Sequence, residues 1–188
     1  MKFLLGIVSG LLLLAVGMAV IVFNGRINIG ADHEHSPLVY GLLEKARISS
    51  IEHASRDIDV PKLDEAASIS AGGADYKDMC ASCHLSPGVE QTDLSTGLYP
   101  RPPNFTDANV VSRFATDAGA KQGFWAIKHG IMASGMPAWG ASHDDKRIWD
   151  MVAFIRELPE LDSNQYAILT TRFDDVVMRD AFDSETAQ

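Results

Sequence analysis

The chain has 188 residues, 46% hydrophobic and 22% charged, which suits one compact domain of about 100–150 residues with extensions. Its formal net charge of −9 argues against nucleic acid as a partner and favours a basic protein surface. There is no internal repeat or low-complexity segment to suggest an array or a disordered tail domain.

Phe3 to Phe23 is an uncharged apolar run behind a single Lys2. As a helix it spans roughly 30 Å, the thickness of a bilayer's hydrocarbon core. The run passes into Asn24, Gly25 and Arg26 without an A-x-A-like site, so residues 1–25 are expected to be a retained anchor rather than a cleaved signal. Lys2 and Arg26 balance one another, and the positive-inside rule gives no orientation.

Residues 26–66 read as a juxtamembrane helix and linker. Ser36 and Pro37 make a helix start, and Leu38, Val39, Leu42, Leu43, Ala46 and Ile51 recur mostly at helical spacing. A helix is expected from Pro37 to about Arg56, with Val60-Pro61 ending the segment. His33 and His35 lack a third metal ligand nearby, and His53 belongs to the polar side of the helix.

Both cysteines lie in "KDMCASCHLSPG", as Cys80 and Cys83, with His84 directly after. A disulfide there would close a very short loop and stabilise little. Zinc would need a second pair of ligands, and no βαβ pattern supports a redox dithiol. C-x-x-C-H is instead the spacing of covalent haem attachment, in which both thiols add to vinyl groups and the histidine reaches the iron. Such attachment occurs outside the cytoplasm, which would place Asn24 onward in the periplasm or an equivalent space. Upstream, Gly72, Tyr76 and Cys80 share one helical face. Downstream, Ile148, Met151, Val152 and Ile155 mark a second helix, with Trp149 and Phe154 adding bulk, Asp144 or Ser142 as cap and Pro159 as stop.

An octahedral haem iron needs a second axial ligand. Of seven methionines, Met136 stands between Gly135 and Pro137 in a loop that can turn over a ring. Met132, His129 and His143 are its rivals.

Taken in order, "GADYKDMCASCH", "RPPNF", "FWAIKHGIMASGMPAWG" and "IWDMVAFIRELP" resemble class I c-type cytochromes, in the membrane-anchored monohaem form of bacterial respiratory chains. The resemblance covers about Ala67 to Glu160. It implies an all-α, cytochrome c-like domain holding one covalently attached haem c, bound through Cys80 and Cys83, with His84 proximal and Met136 distal. It also implies that Gly72 and Tyr76 cross Met151 and Phe154, that the Pro103 carbonyl accepts the Nδ1 proton of His84, and that Arg101 suits a haem propionate.

The expected organisation is therefore an anchor over 1–25, a helical spacer over 26–66, a haem domain over 67–160 and an acidic extension over 161–188. The extension reads as a strap over the haem domain followed by a frayed tail, or as a docking element. With both axial positions filled by protein, the iron serves electron transfer rather than catalysis. The chain is expected to be a single-pass protein of the bacterial inner membrane with its haem domain in the periplasm, passing single electrons between redox partners, as a carrier to a membrane respiratory complex or a subunit of one. The alternative is a haem enzyme or a gas or redox sensor, in which Met136 gives way to a small ligand.

Overall fold

The computed structural model describes residues 2–172, and among them every regular element is helical, with no strand. The acidic residues of the extension from position 174 onward lie outside the described residues. The all-α expectation holds.

One compact unit ends at Glu34 and a second begins at His35. The first contains α1, Lys2–Phe23, an apolar helix with no charged residue after Lys2. Its 22 residues give a length of about 33 Å, enough to cross the hydrocarbon core.

The second unit opens with α2, Pro37–Ser55, which ends just before the expected Arg56. The chain turns there through the Ile58 N–H to the Ser55 carbonyl at 3.1 Å and runs irregularly past Pro61, carrying Leu63 into the core. Short helices α5, Asp93–Gly97, and α6, Ala108–Val111, precede α7, Asp117–His129, against which α2 packs, and Lys121 on α7 donates to the Arg56 carbonyl at 2.6 Å. On the other side, Phe124 of α7 stacks on Trp149 with ring centroids 4.2 Å apart.

α3, Ala66–Met79, and α8, Asp145–Glu157, form the main helix pair. Asp144 caps α8 by accepting from the Arg147 N–H at 2.8 Å. Ile148, Met151, Val152, Phe154 and Ile155 then repeat at helical spacing, and each is essentially inaccessible to water. Every such side chain contributes about 1.5–3 kcal/mol through burial. Gly72 on α3 makes the crossing possible, because a Cβ there would overlap the backbone carbonyl of Asp150. One turn on, Tyr76 meets Phe154 with centroids 5.4 Å apart.

The beginning of the extension is structured. Asp162 caps α9, Ser163–Leu169, with a capping box, and α9 lies across α3. Its far end is tied down by charge. Asp75, a buried carboxylate on α3, takes Arg147 of α8 on both oxygens, one of them 2.7 Å from Nη2. The same carboxylate accepts Arg172 Nη2 at 2.7 Å, while Arg172 also reaches Asp78 at 2.8 Å. Burial alone would raise the Asp75 carboxyl. The hydrogen bonds and charges of Arg147 and Arg172 outweigh it and hold Asp75 below its usual range.

Two outcomes are expected from this packing. Gly72→Ala should lower the melting temperature sharply, because the overlapping atom is backbone and cannot swing away, at a cost of about 1–3 kcal/mol or more. Gly41→Ala, in open space on α2, should leave it unchanged or raise it slightly. Asp75→Asn should destabilise the protein at neutral pH by about 1–3 kcal/mol, the loss of hydrogen bonds between charged groups. A carboxyl depressed in the folded state stabilises above its unfolded pKa of about 3.9 and loses that contribution as the pH falls through its folded value. Thermal unfolding of the variant and the native chain should therefore converge below about pH 4.

Candidate functional site

The site is assembled where α3 ends. Cys80 is at once the C-cap of α3 and the N-cap of a single turn, α4, Ala81–His84. Its carbonyl accepts from the Cys83 N–H at 3.0 Å and the His84 N–H at 2.8 Å, so the three residues are fixed on one tight helical turn. Both cysteines are free thiols, Cys80 buried and Cys83 partly exposed. Burial, reinforced by the charge of Asp75 and by Cys83, pushes the Cys80 thiol up to about 12, so it is protonated at neutral pH.

His84 is held more firmly than any other polar group of the site. Its Nδ1 lies 2.8 Å from the Pro103 carbonyl, and its ring stacks on Phe105 at 4.3 Å between centroids and 7° between planes. The Phe105 N–H donates to the His84 carbonyl at 3.1 Å. The segment Pro103–Phe105 therefore grips the histidine by ring edge, ring face and backbone. Burial lowers the pKa of the imidazole, with the Pro103 bond opposing it, and the ring is neutral. With Nδ1 donating, Nε2 carries the free lone pair.

Leu85, immediately after, has a left-handed backbone with φ of 69°. For a non-glycine residue that conformation is strained and must be imposed by its surroundings. The imposing group is Tyr76, whose hydroxyl donates to the Leu85 carbonyl at 2.6 Å and lies 3.2 Å from that of His84. Burial pushes the Tyr76 hydroxyl far up, so it remains a donor at any physiological pH.

Met136 lies in the loop that follows α7. Gly130, with φ of 67°, lets the chain leave the helix, and a Cβ there would meet the Met136 carbonyl at 2.8 Å. The Ile131 N–H donates to that same carbonyl at 3.1 Å. Ser134 completes the ring of bonds, donating its hydroxyl to the Ile131 carbonyl at 2.7 Å and accepting the Met136 N–H at 3.1 Å. Met136 is thus fixed through both backbone groups and packs against the core, whereas Met132 is 98% exposed.

The remaining candidates are placed differently. Arg101 is exposed and has no ion pair or hydrogen bond among the described residues. His129 is exposed and lies against the Trp125 ring, 4.8 Å between centroids. His143 is half-buried beside Trp139, with its Nδ1 2.8 Å from the Ser142 hydroxyl. His33 is exposed, and His35 meets the edge of the Tyr99 ring. Phe105 and Ser134, which do most of the positioning, are not conspicuous in the sequence. Phe105 closes the quoted "RPPNF", but nothing local says that it stacks on a histidine 21 positions earlier.

These residues fit a covalently held haem. Two free thiols sit on one helical turn, a neutral imidazole beside them has one nitrogen oriented by a carbonyl and the other available, and a thioether is held in a rigid loop. Among the described residues no group of three or more His, Cys, Asp or Glu side chains could hold a simple metal ion.

Residues 67–155 match the family described as cytochrome C oxidase, cbb3-type, subunit III. No curated protein and no solved structure matches the chain.

Tyr76→Phe tests the strained turn. Removing the hydroxyl leaves the buried Leu85 carbonyl without its donor and should cost about 1–3 kcal/mol, read as a lower denaturation midpoint with an unchanged slope.

Proposed function

Because residues 67–155 form a class I c-type cytochrome domain, an electron-transfer module, we propose that the chain is a membrane-tethered monohaem cytochrome that passes single electrons between respiratory redox partners. Bound haem supplies a one-electron ferric–ferrous couple. Cys80 and Cys83 would carry its two thioether links, and His84 Nε2 and the Met136 sulfur would ligate its iron. Pro103 holds the His84 tautomer, and Arg101 serves a propionate.

The observation that carries this reading is the difference in constraint between the two methionines. Met136 is pinned through its N–H and carbonyl by Ser134 and Ile131, while Met132 reaches into solvent. A pinned ligand loses little conformational freedom on binding and is slow to leave, which suits a centre that must change charge without changing partners. His84 is likewise constrained. Two rigid ligands would keep the reorganisation on electron transfer small.

α1 supports a single-pass anchor by its length and hydropathy. Attachment chemistry for C-x-x-C-H puts the domain on the periplasmic side of a bacterial inner membrane. The matched family's description supports an oxidase as a partner, with the chain acting as its electron donor or as a subunit of such a complex. The net charge of −9 favours docking on a basic surface, with association that weakens as salt rises.

Met136→Ala should abolish the weak far-red band of methionine-to-ferric-iron ligation, lower the reduction potential and open the reduced form to carbon monoxide. Met132→Ala should leave all three unchanged. Ser134→Ala should keep the band but speed displacement of the methionine by added imidazole, since the loop loses two of its bonds. Rapid binding of carbon monoxide by the unaltered protein would favour instead a ligand-binding enzyme or sensor.

A further inference from the structure

α2 is turned the wrong way round for a helix of a soluble domain. Its half-buried or buried side, facing the domain, carries Glu44, Arg47, Ile51 and Ser55, with Glu44 and Arg47 paired at 3.4 Å. Its outward side begins with Leu38 at 82% exposure, Val39 at 44% and Leu42 at 70%, followed by Ala46. At 100° per residue those four fall within an arc of about 100°, a continuous apolar strip over the first three turns. The same arc then turns polar at Ser49 and His53. Helices in water put the apolar arc inward, so this strip belongs against something apolar.

We propose that the first turns of α2 lie on the surface of the bilayer that α1 spans, with Leu38, Val39 and Leu42 in the boundary between headgroups and acyl chains. The inference rests on the reading of α1 as a retained anchor. Chain connectivity selects lipid over a separate protein. The thirteen residues 24–36 join the end of α1 to the start of α2. Such a linker reaches about 45 Å at full extension and about 20 Å on average, so the bilayer is an intramolecular partner at high effective concentration. A modest apolar strip suffices under those conditions, where a partner in solution would need a far larger one. The polarity gradient has the matching sense, since the apolar turns are those nearest the anchor in the chain and the polar turns are further on. This contact would hold one end of the haem-domain unit at the membrane and limit which of its faces a partner can reach.

The test uses the full-length, haem-loaded chain in lipid nanodiscs, with bimane on a single introduced cysteine at Leu12→Cys in α1, Leu42→Cys or Glu52→Cys in α2. Unaltered protein controls for labelling of Cys80 and Cys83. Lipids brominated on their acyl chains should quench the label at position 12, and should quench position 42 at least about twofold more than position 52. Quenching at position 12 with none at 42 would overturn the inference and leave the anchor intact. No quenching at position 12 would remove the anchor and the inference together. A label at position 42 shielded from aqueous iodide but untouched by brominated lipid would assign the strip to a protein, such as a second copy, and would also overturn it.

Discussion

At Gly72 the backbone of α3 rests directly on the Asp150 carbonyl of α8, leaving no room for a methyl group. The position of the functional turn depends on that crossing. It brings Tyr76, one turn further along α3, into the core beside Phe154, where its hydroxyl can reach only the carbonyls of His84 and Leu85. Core packing and the geometry of the site are thus the same set of contacts. A shift of α3 by a few tenths of an ångström would be passed directly to the histidine, because close-packed interiors transmit strain rather than absorb it.

The two halves of the site are built on different principles. His84 is held by tertiary structure: its ring edge, ring face and carbonyl are all taken by the segment 103–105, some twenty residues away. Met136 is held locally, within the ring formed by Ile131, Ser134 and its own backbone after the turn at Gly130. Asp75 adds a third form of restraint. By accepting both Arg147 and Arg172 it locks α3, α8 and the segment after α9 together through one buried carboxylate. Two partly exposed guanidiniums can rehydrate if the carboxylate is lost, whereas the carboxylate could not remain buried and ionised without them.

Elements whose signals are local were legible in the sequence. The apolar run of α1, the Ser36-Pro37 start of α2, the periodic face of α8 and its Asp144 cap all depend on neighbours within a turn or two. Spacing put the glycine at 72 on one face with Tyr76 and Cys80, and the resemblance placed that face at a helix crossing, where Gly72 meets the Asp150 backbone. What the sequence could not disclose depends on distant partners. Asp75 reads as one more surface acid until Arg147 and Arg172, 72 and 97 positions away, are brought to it. Periodicity marked α2 as a helix with an apolar stripe but not which way it faces; Leu38, Val39, Leu42 and Ala46 face outward, and Ile51 faces the domain. Choosing between Met132 and Met136 by glycine and proline neighbours is a local argument, whereas the bonds of Ser134 that fix the Met136 backbone are seen only in the folded loop.

The proposed iron coordination is by a histidine and a methionine, each immobilised by a different kind of contact. X-ray absorption at the iron edge of the purified full-length protein tests it without altering a residue. Histidine–methionine ligation predicts a first shell of four pyrrole nitrogens, one imidazole nitrogen and one sulfur, retained in both oxidation states. A first shell made only of nitrogen and oxygen, or the loss of the sulfur on reduction, would contradict it.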